Sequence, residues 1–555
     1  MRYQIPDIIL FNAEIHPHDQ YNKTRSTAVA ICGRRIAAVG DDVDILSMAG
    51  PDTVKINLTG RQVLPGFIDS HFHFYEWAMN YDSIDFASTK TFGEMEDAVA
   101  ARAKSFEPGK WITGYGFNES DWPEKRMPHR RDLDRVAPDN PVCIWRCDLH
   151  LAVANSRALA LAGIDKNTRN GNTRYILDGT IEMEADGTPT GLLRELAPNL
   201  IRRAIPPLSE AELLKNMERA IAHAQSLGLT SIHDIRLMGG GEGAAALGVW
   251  QTLHSRDKLG IRCHVTLPGE MTDQAVALGL RTGFGDDLLR IGHLKFFADG
   301  GMGARTAWMT RKYLDAQYGM PLTPLEEIEA AVTKADDAGL SCMVHAVGDR
   351  ACHEIISMFT RIESAGKKLV AQGASISHGG QRIRHRIEHL QMVLPEDLKA
   401  LGYLKNIAVS CQPNNMSLDI SMIDQCVGDR GRYAYALKSI LATGVPVIFS
   451  SDAPVAAPNP FEGIYSAVTR KRMNGTPEQG WYGNQAITVH EALQGYTLIP
   501  ALVSAMGRDL GSILPGKLAD MVVIDRNIFT CPRESIKDIS VDMTIFNGKI
   551  VYNRP

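Results

Sequence analysis

A chain of 555 residues, 44% hydrophobic and 22% charged, can bury a large core and should hold more than one domain, or one domain with insertions. Its formal net charge of -5 and pI near 6.4 argue against the basic stripe of a nucleic-acid binder. There is no apolar run of membrane-spanning length and no basic segment leading into a long apolar one at the start, and the nine cysteines include no CxxC pair. A cytoplasmic protein with no membrane partner, no disulfide framework and no zinc ribbon is therefore expected.

The opening stretch alternates short β-like runs with turn signals, in DIILFNAEI, STAVAICGRRIAAVG and TVKINLTGRQVL. IHPHD carries His16 and His18 at a ligand-like spacing, but Pro17 spoils a central strand there and the pair is read as structural. In LPGFIDSHFHF, Phe67 and Ile68 lead through Asp69 to His71 and His73, which a strand period of two turns to the same side. Neutral imidazoles suit zinc and similar divalent ions. Alone the pair is weak, since 17 histidines placed at random give about half an HxH per chain of this length.

Helical periodicity in FGEMEDAVAARAKSF and SEAELLKNMERAIAHAQSLG brackets an irregular stretch, so residues from about 85 to 225 read as an inserted α+β subdomain over the mouth of a site. Within it, DLHLAVANS offers Asp148, His150 and Asn155 as substrate contacts, a role no stronger than fixing a buried turn. Trp122, with Trp77, Phe117, Trp481 and Tyr482, is a candidate to line an apolar pocket, although a single aromatic is more often core. His233 and Asp234 in TSIHDI end a strand and read as a hydrogen-bonded pair supporting ligands from behind.

Further on, LLRIGHLKFFADGG places Lys295 in an apolar run with Asp299 after it, and His293 deeper as a packed interior histidine. Arg305 in GGMGARTA is suited to neutralise a substrate anion or to pair with Asp299. GLSCMVHAVGD runs to His345, RIRHRIEHLQ to His389 and GVPVIFSSDAPV to Asp452, while alternation turns Glu388 away from the lumen. Short apolar runs separated by helical stretches indicate buried parallel strands in a βα repeat. In a (β/α)8 barrel the carboxyl ends of different strands meet on one face, which brings His71, His73, Lys295, His345, His389 and Asp452 together as the ligand set of a metal hydrolase. The closing runs LADMVVIDRN and DMTIFNGKIVY are again β-like.

The blocks PGFIDSHFH, WITGYGFNESDWP, PVCIWRCDLHLAVANSRAL, LKFFADGGMGARTA, VHAVGDRA, RIEHLQ, QPNN and SSDAPVAAPNPFEGI, in that order, resemble the amidohydrolase superfamily, and within it the amidohydrolase 3 group that includes N-substituted formamide deformylases. The resemblance implies an α/β fold: a TIM barrel over residues 64–508, and a small composite β-sandwich formed by 1–63 with 509–555. It implies hydrolysis of a nonpeptide C–N bond, with an N-formyl or N-acyl amide as the leading small-molecule substrate. A cyclic amide, carbamate or lactone is the alternative, and a noncatalytic binding or assembly relative the alternative from another class. The metal would be one or two divalent ions, zinc foremost with manganese or iron possible, and Lys295 would carry carbon dioxide as a carbamate if there are two. His345 and His389 would then complete the second site, or serve as ligand and oxyanion donor beside a single ion. Asp452 would act as general base and then general acid for a metal-activated hydroxide. A homodimer is mildly favoured by the same resemblance.

Overall fold

Eight parallel strands form one sheet in chain order: β1 (Phe67–Phe72), β2 (Leu229–Asp234), β3 (Arg262–Pro268), β4 (Leu289–Phe297), β5 (Cys342–Ala346), β6 (His385–His389), β7 (Ile407–Cys411) and β8 (Val447–Phe449). The computed structural model describes residues 5–17, 26–168, 179–238, 242–371 and 383–554, so His18 lies outside the described residues. The sheet curls until β8 meets β1. There the amide of Asp452 donates to the carbonyl of His71 at 2.8 Å and that of His73 to Ala453 at 2.9 Å. The carboxylate of Asp69 takes the amide of Ser451 on both oxygens, each at 3.2 Å. This is a (β/α)8 barrel, its strands buried at nearly every position because helices cover the outside and side chains fill the lumen.

The outer layer follows from helical spacing. In the helix Glu210–Ser226, capped reciprocally by Ser209 and Glu212, the residues Leu213, Met217, Ala220, Ile221 and Ala224 make one apolar stripe. That stripe packs in the same cluster as Phe67, Leu229 and Ile232, so the helix belongs to the barrel and the inserted region ends before it. Periodicity alone could not assign the helix to one unit or the other, since an apolar stripe does not name its partner.

The inserted region is built on a six-stranded sheet running spatially from Gly179–Met183 through Pro189–Glu195, Leu151–Ala154, Val142–Arg146 and Ile112–Phe117 to Ile84–Asp85. Two separate apolar clusters form on it, one around Phe92, Met95 and Trp122, the other around Trp145, Leu159 and Ile201. Both ends of the chain meet in a second β unit. A four-stranded sheet contains Ile8–Phe11, Ala28–Cys32, Arg35–Gly40 and Val54–Asn57, while a five-stranded one joins Glu14–Ile15 and Gln62–Pro65 to Met521–Ile524, Val541–Phe546 and Lys549–Asn553. Leu10, Val29 and Ile31 of one sheet share a core with Val63, Met521, Val523 and Ile545 of the other. Among the described residues, no helix is long and apolar enough to cross a membrane.

Candidate metal centre and active site

At the carboxyl end of the barrel, His71 Nε2 and His73 Nε2 each lie 3.3 Å from Asp452 Oδ1. The tautomers are set from behind. His71 Nδ1 is bonded to the carboxylate of Glu388, and His73 Nδ1 donates to the carbonyl of Ile235 at 3.1 Å, so each Nε2 carries a lone pair. His71 Nε2 is buried without a hydrogen-bond partner. Lone pairs of two neutral imidazoles facing a carboxylate oxygen repel one another unless a cation sits among them, and these three residues form a group whose ligand atoms lie within 4.8 Å of one another. The donor set fits a divalent ion. Burial pushes His71 well below the ordinary imidazole range, consistent with the neutral form a ligand needs.

The other three predicted ligands line the same cavity, the His389 ring 5.0 Å from that of His71. His389 donates Nδ1–H to Gln412 Oε1 at 2.9 Å, while Gln412 Nε2 donates to Ser450 Oγ at 3.0 Å, leaving His389 Nε2 with the lone pair. Burial brings His389 down to about 4. The rings of His345 and His389 lie 4.5 Å apart, and His345 Nε2 is 3.3 Å from the carbonyl of Gly300. Lys295 Nζ is buried with no hydrogen-bond partner, and burial pushes its amine down to about 8, with Glu388 and Asp452 opposing. All six line one cavity with His150, Glu195, Arg202 and Phe297.

His389 and Asp452 both have left-handed backbones, with φ of 68° and 60°. That geometry overturns the outward placement of Glu388 expected from alternation. In β6, Glu388 faces the lumen, fully buried, pairing with Arg386 Nε at 2.7 Å and holding His71. Strict alternation would have put His389 on the outer face. The positive φ ends the strand at that residue and swings it back over the rim, so neighbouring side chains serve one site.

Other expectations divide in the same way. His150 lines the cavity: burial works against its charge, yet Glu195, bonded to Nδ1 at 2.7 Å, carries it up to about 9. Asp299 accepts the amides of Val347, Gly348 and Trp308 at 3.0, 2.8 and 2.8 Å, and its nearer oxygen is 3.8 Å from His345 Nε2. His233 and Asp234 do not pair. Alternation turns His233 into the lumen, where it takes a hydrogen bond from Arg386 at 2.8 Å and stacks on His264, whereas Asp234 points outward to Trp250 Nε1 at 2.7 Å and to Arg236. His293 is an interior histidine bonded to the carbonyl of Arg384 at 2.9 Å.

Three proposed substrate contacts lie elsewhere. Trp122 is fully buried between Phe92 and Phe117, donating to the carbonyl of Thr89 at 3.0 Å. Asn155 caps the helix Ser156–Leu161, its Oδ1 taking the amides of Val142 and Ala158, both at 3.0 Å. Arg305 grips Asp315 through Nε at 3.0 Å and Nη2 at 2.8 Å, and pairs with neither Asp299 nor the cavity. Trp77, Phe117 and Trp481 are likewise core residues, and the half-buried Tyr482 packs against the same cluster as Trp481. The cavity's aromatic is Phe297, two residues beyond Lys295 on β4 and readable from the same alternation. His16 packs against Phe529, with ring centroids 4.4 Å apart, in the β unit.

A family model described as "Amidohydrolase family" matches residues 55–552. The chain is 29% identical to the putative amidohydrolase YtcJ of Bacillus subtilis (strain 168) over 508 residues, 91% of each chain. It is 27% identical to the N-substituted formamide deformylase of Arthrobacter pascens over 99% of each. Among solved structures, an uncharacterized metal-dependent hydrolase from Pyrococcus horikoshii OT3 superposes with a TM-score of 0.72 at 24% identity, covering 95% of this chain and 99% of that one, which shows a shared fold.

Proposed function

Because the chain belongs to the amidohydrolase family, we propose that it hydrolyses a nonpeptide C–N bond in a small N-formyl or N-acyl amide, with Asp452 moving the proton. The observation that supports this reading most is the meeting of three lone-pair atoms, His71 Nε2, His73 Nε2 and Asp452 Oδ1, with no proton among them. These residues would hold one divalent ion, and Lys295, His345 and His389 would contribute to a second. A divalent ion bound there supplies a Lewis acid for a carbonyl oxygen and lowers the pKa of water from about 15.7 to about 7.

The chain's own groups would do the rest. Asn415 Nδ2 steadies Asp452 Oδ2 at 3.2 Å, so the carboxylate keeps one orientation while it takes a proton from water and gives it to the departing nitrogen. His150, cationic through Glu195, has its Nε2–H left to offer the substrate oxygen. The buried amine of Lys295 is suited to carboxylation, because its depressed pKa leaves it partly neutral and a neutral amine can add to carbon dioxide with loss of a proton.

The test is metal content and turnover measured together. Protein purified with zinc and bicarbonate should carry two ions per chain and hydrolyse formamides or acyl amides faster than matched carbamates and lactones. Lys295→Met should keep one ion and lose the other. A protein that takes up no ion, or one that cleaves only lactones, would defeat the reading.

A further inference from the structure

The cavity at the metal centre has two lobes that share Asp148, His150, His345, His389, Asp452 and Val455. A substrate whose carbonyl sits at the shared residues can therefore extend a substituent into either lobe. In the first, Arg202 is already matched to Glu76 at 3.0 Å and lies over the ring of Trp145. The second contains Gln391, Asn415, Leu418, Asp419, Met302 and Met422, and two of its polar residues, Asn415 and Asp419, face it with acceptors.

Asn415 supplies the first of these. The carboxylate of Asp452 can only accept, so the amide nitrogen must face it, and Oδ1 is then buried without a hydrogen-bond partner. The residue is 7% exposed. An unsatisfied buried acceptor costs about 1–3 kcal/mol, which a donor from a ligand would recover. Asp419 is the second. Tyr435 Oη at 2.6 Å and Gln391 Nε2 at 3.2 Å both donate to its Oδ2; the charge of Arg146 reaches it, but Arg146 is in ion-pair contact with Glu119 and Asp148, and among the described residues no cation is in such contact with Asp419. The other acid of the lobe, Asp148, is spent on Arg146 at 2.7 Å, and His150 on Glu195. Burial pushes Asp419 up to about 6, with the Tyr435 hydrogen bond and the charge of Arg146 opposing.

We infer that this second lobe takes an alkylammonium substituent of the substrate, its N–H donors meeting Asp419 and Asn415 and its carbon stem lying along Leu418, Met302 and Met422. This rests on the amide-hydrolase reading for the word substrate, but the site itself does not. It narrows the substrate class to amides with a basic nitrogen remote from the scissile bond.

The experiment measures binding of hexylammonium and of hexan-1-ol to the metal-loaded protein by calorimetry near pH 7.5, beside turnover of N-(5-aminopentyl)formamide and N-hexylformamide. Hexylammonium should bind at least tenfold more tightly than the alcohol, and the charged formamide should have the higher kcat/KM by a similar factor. Asp419→Asn keeps the shape of the side chain, and Leu418→Arg places a cation at the wall without touching the buried bonds. Either should bring both ratios to within about twofold of unity. Equal affinities in the wild-type protein, or ratios that survive both variants, would overturn the assignment. Preferential binding of hexylammonium without cleavage of any amide would leave the lobe assigned and end the hydrolase reading. Cleavage with no preference for charge would do the reverse.

Discussion

The two halves of the metal centre are prepared to different degrees. On one side His71, His73 and Asp452 are each held by a second group, Glu388, the Ile235 carbonyl and Asn415, so their ligand atoms converge with orientation and tautomer settled. On the other, His389 is held by Gln412, but Lys295 ends in an amine that lies over the Phe297 ring and has no hydrogen-bond partner among the described residues. An ammonium offers no lone pair to a cation. The first half is thus a ready donor set, while under the proposed reading the second would need a chemical change at one nitrogen before it could hold an ion, which would make the affinity of the two positions separable.

Substitutions can press on that contrast. Asp452→Asn removes the shared oxygen charge and the proton carrier from the ready half, and kcat should fall about 10³–10⁴-fold with the circular dichroism spectrum unchanged. Wild-type turnover in that variant would strip Asp452 of its role. Glu388→Gln weakens the hold on His71 and leaves Arg386 without its counter-charge, so zinc affinity, measured against a competing chelator, should drop about 10–100-fold at the first position. A loss confined to the second position would reverse the contrast.

A separate effect, on stability, concerns the His150–Glu195 pair above the centre. Unfolded, the imidazole titrates near about 6.5; folded, it is carried up to about 9. A raised value means the pair's stabilisation is fully present below the unfolded pKa and lost as pH rises through the folded one. The stability advantage of wild type over His150→Gln should therefore shrink by about 3 kcal/mol between roughly pH 6 and pH 10, read by urea unfolding. An advantage independent of pH would mean that the ring contributes packing alone.

How much of this was legible depends on whether a role lies in strand periodicity. His71, His73, Lys295, His345, His389 and Asp452 follow apolar runs, and one cavity does bring them together. Glu388 was misassigned because alternation holds only while φ stays extended, and nothing in RIEHLQ marks the left-handed turn at His389. Trp122, Asn155 and Arg305 were singled out for residue type, yet each is satisfied by partners that sequence does not reveal: Phe92 and Phe117, the amides of Val142 and Ala158, and Asp315. Asp419 and Asn415 lie on the helix Pro413–Val427, where they look like ordinary polar positions until the fold shows which of their acceptors go unused.

The seam between β8 and β1 has one more implication. The backbone bonds that shut the barrel, Asp452 to His71 and His73 to Ala453, run between the residues that would grip the ion and their immediate neighbours. A growing polypeptide that has not yet docked its last barrel strand has no such pocket to offer, and an ion captured there would act as a rivet across the join, adding its binding energy to the closed form alone.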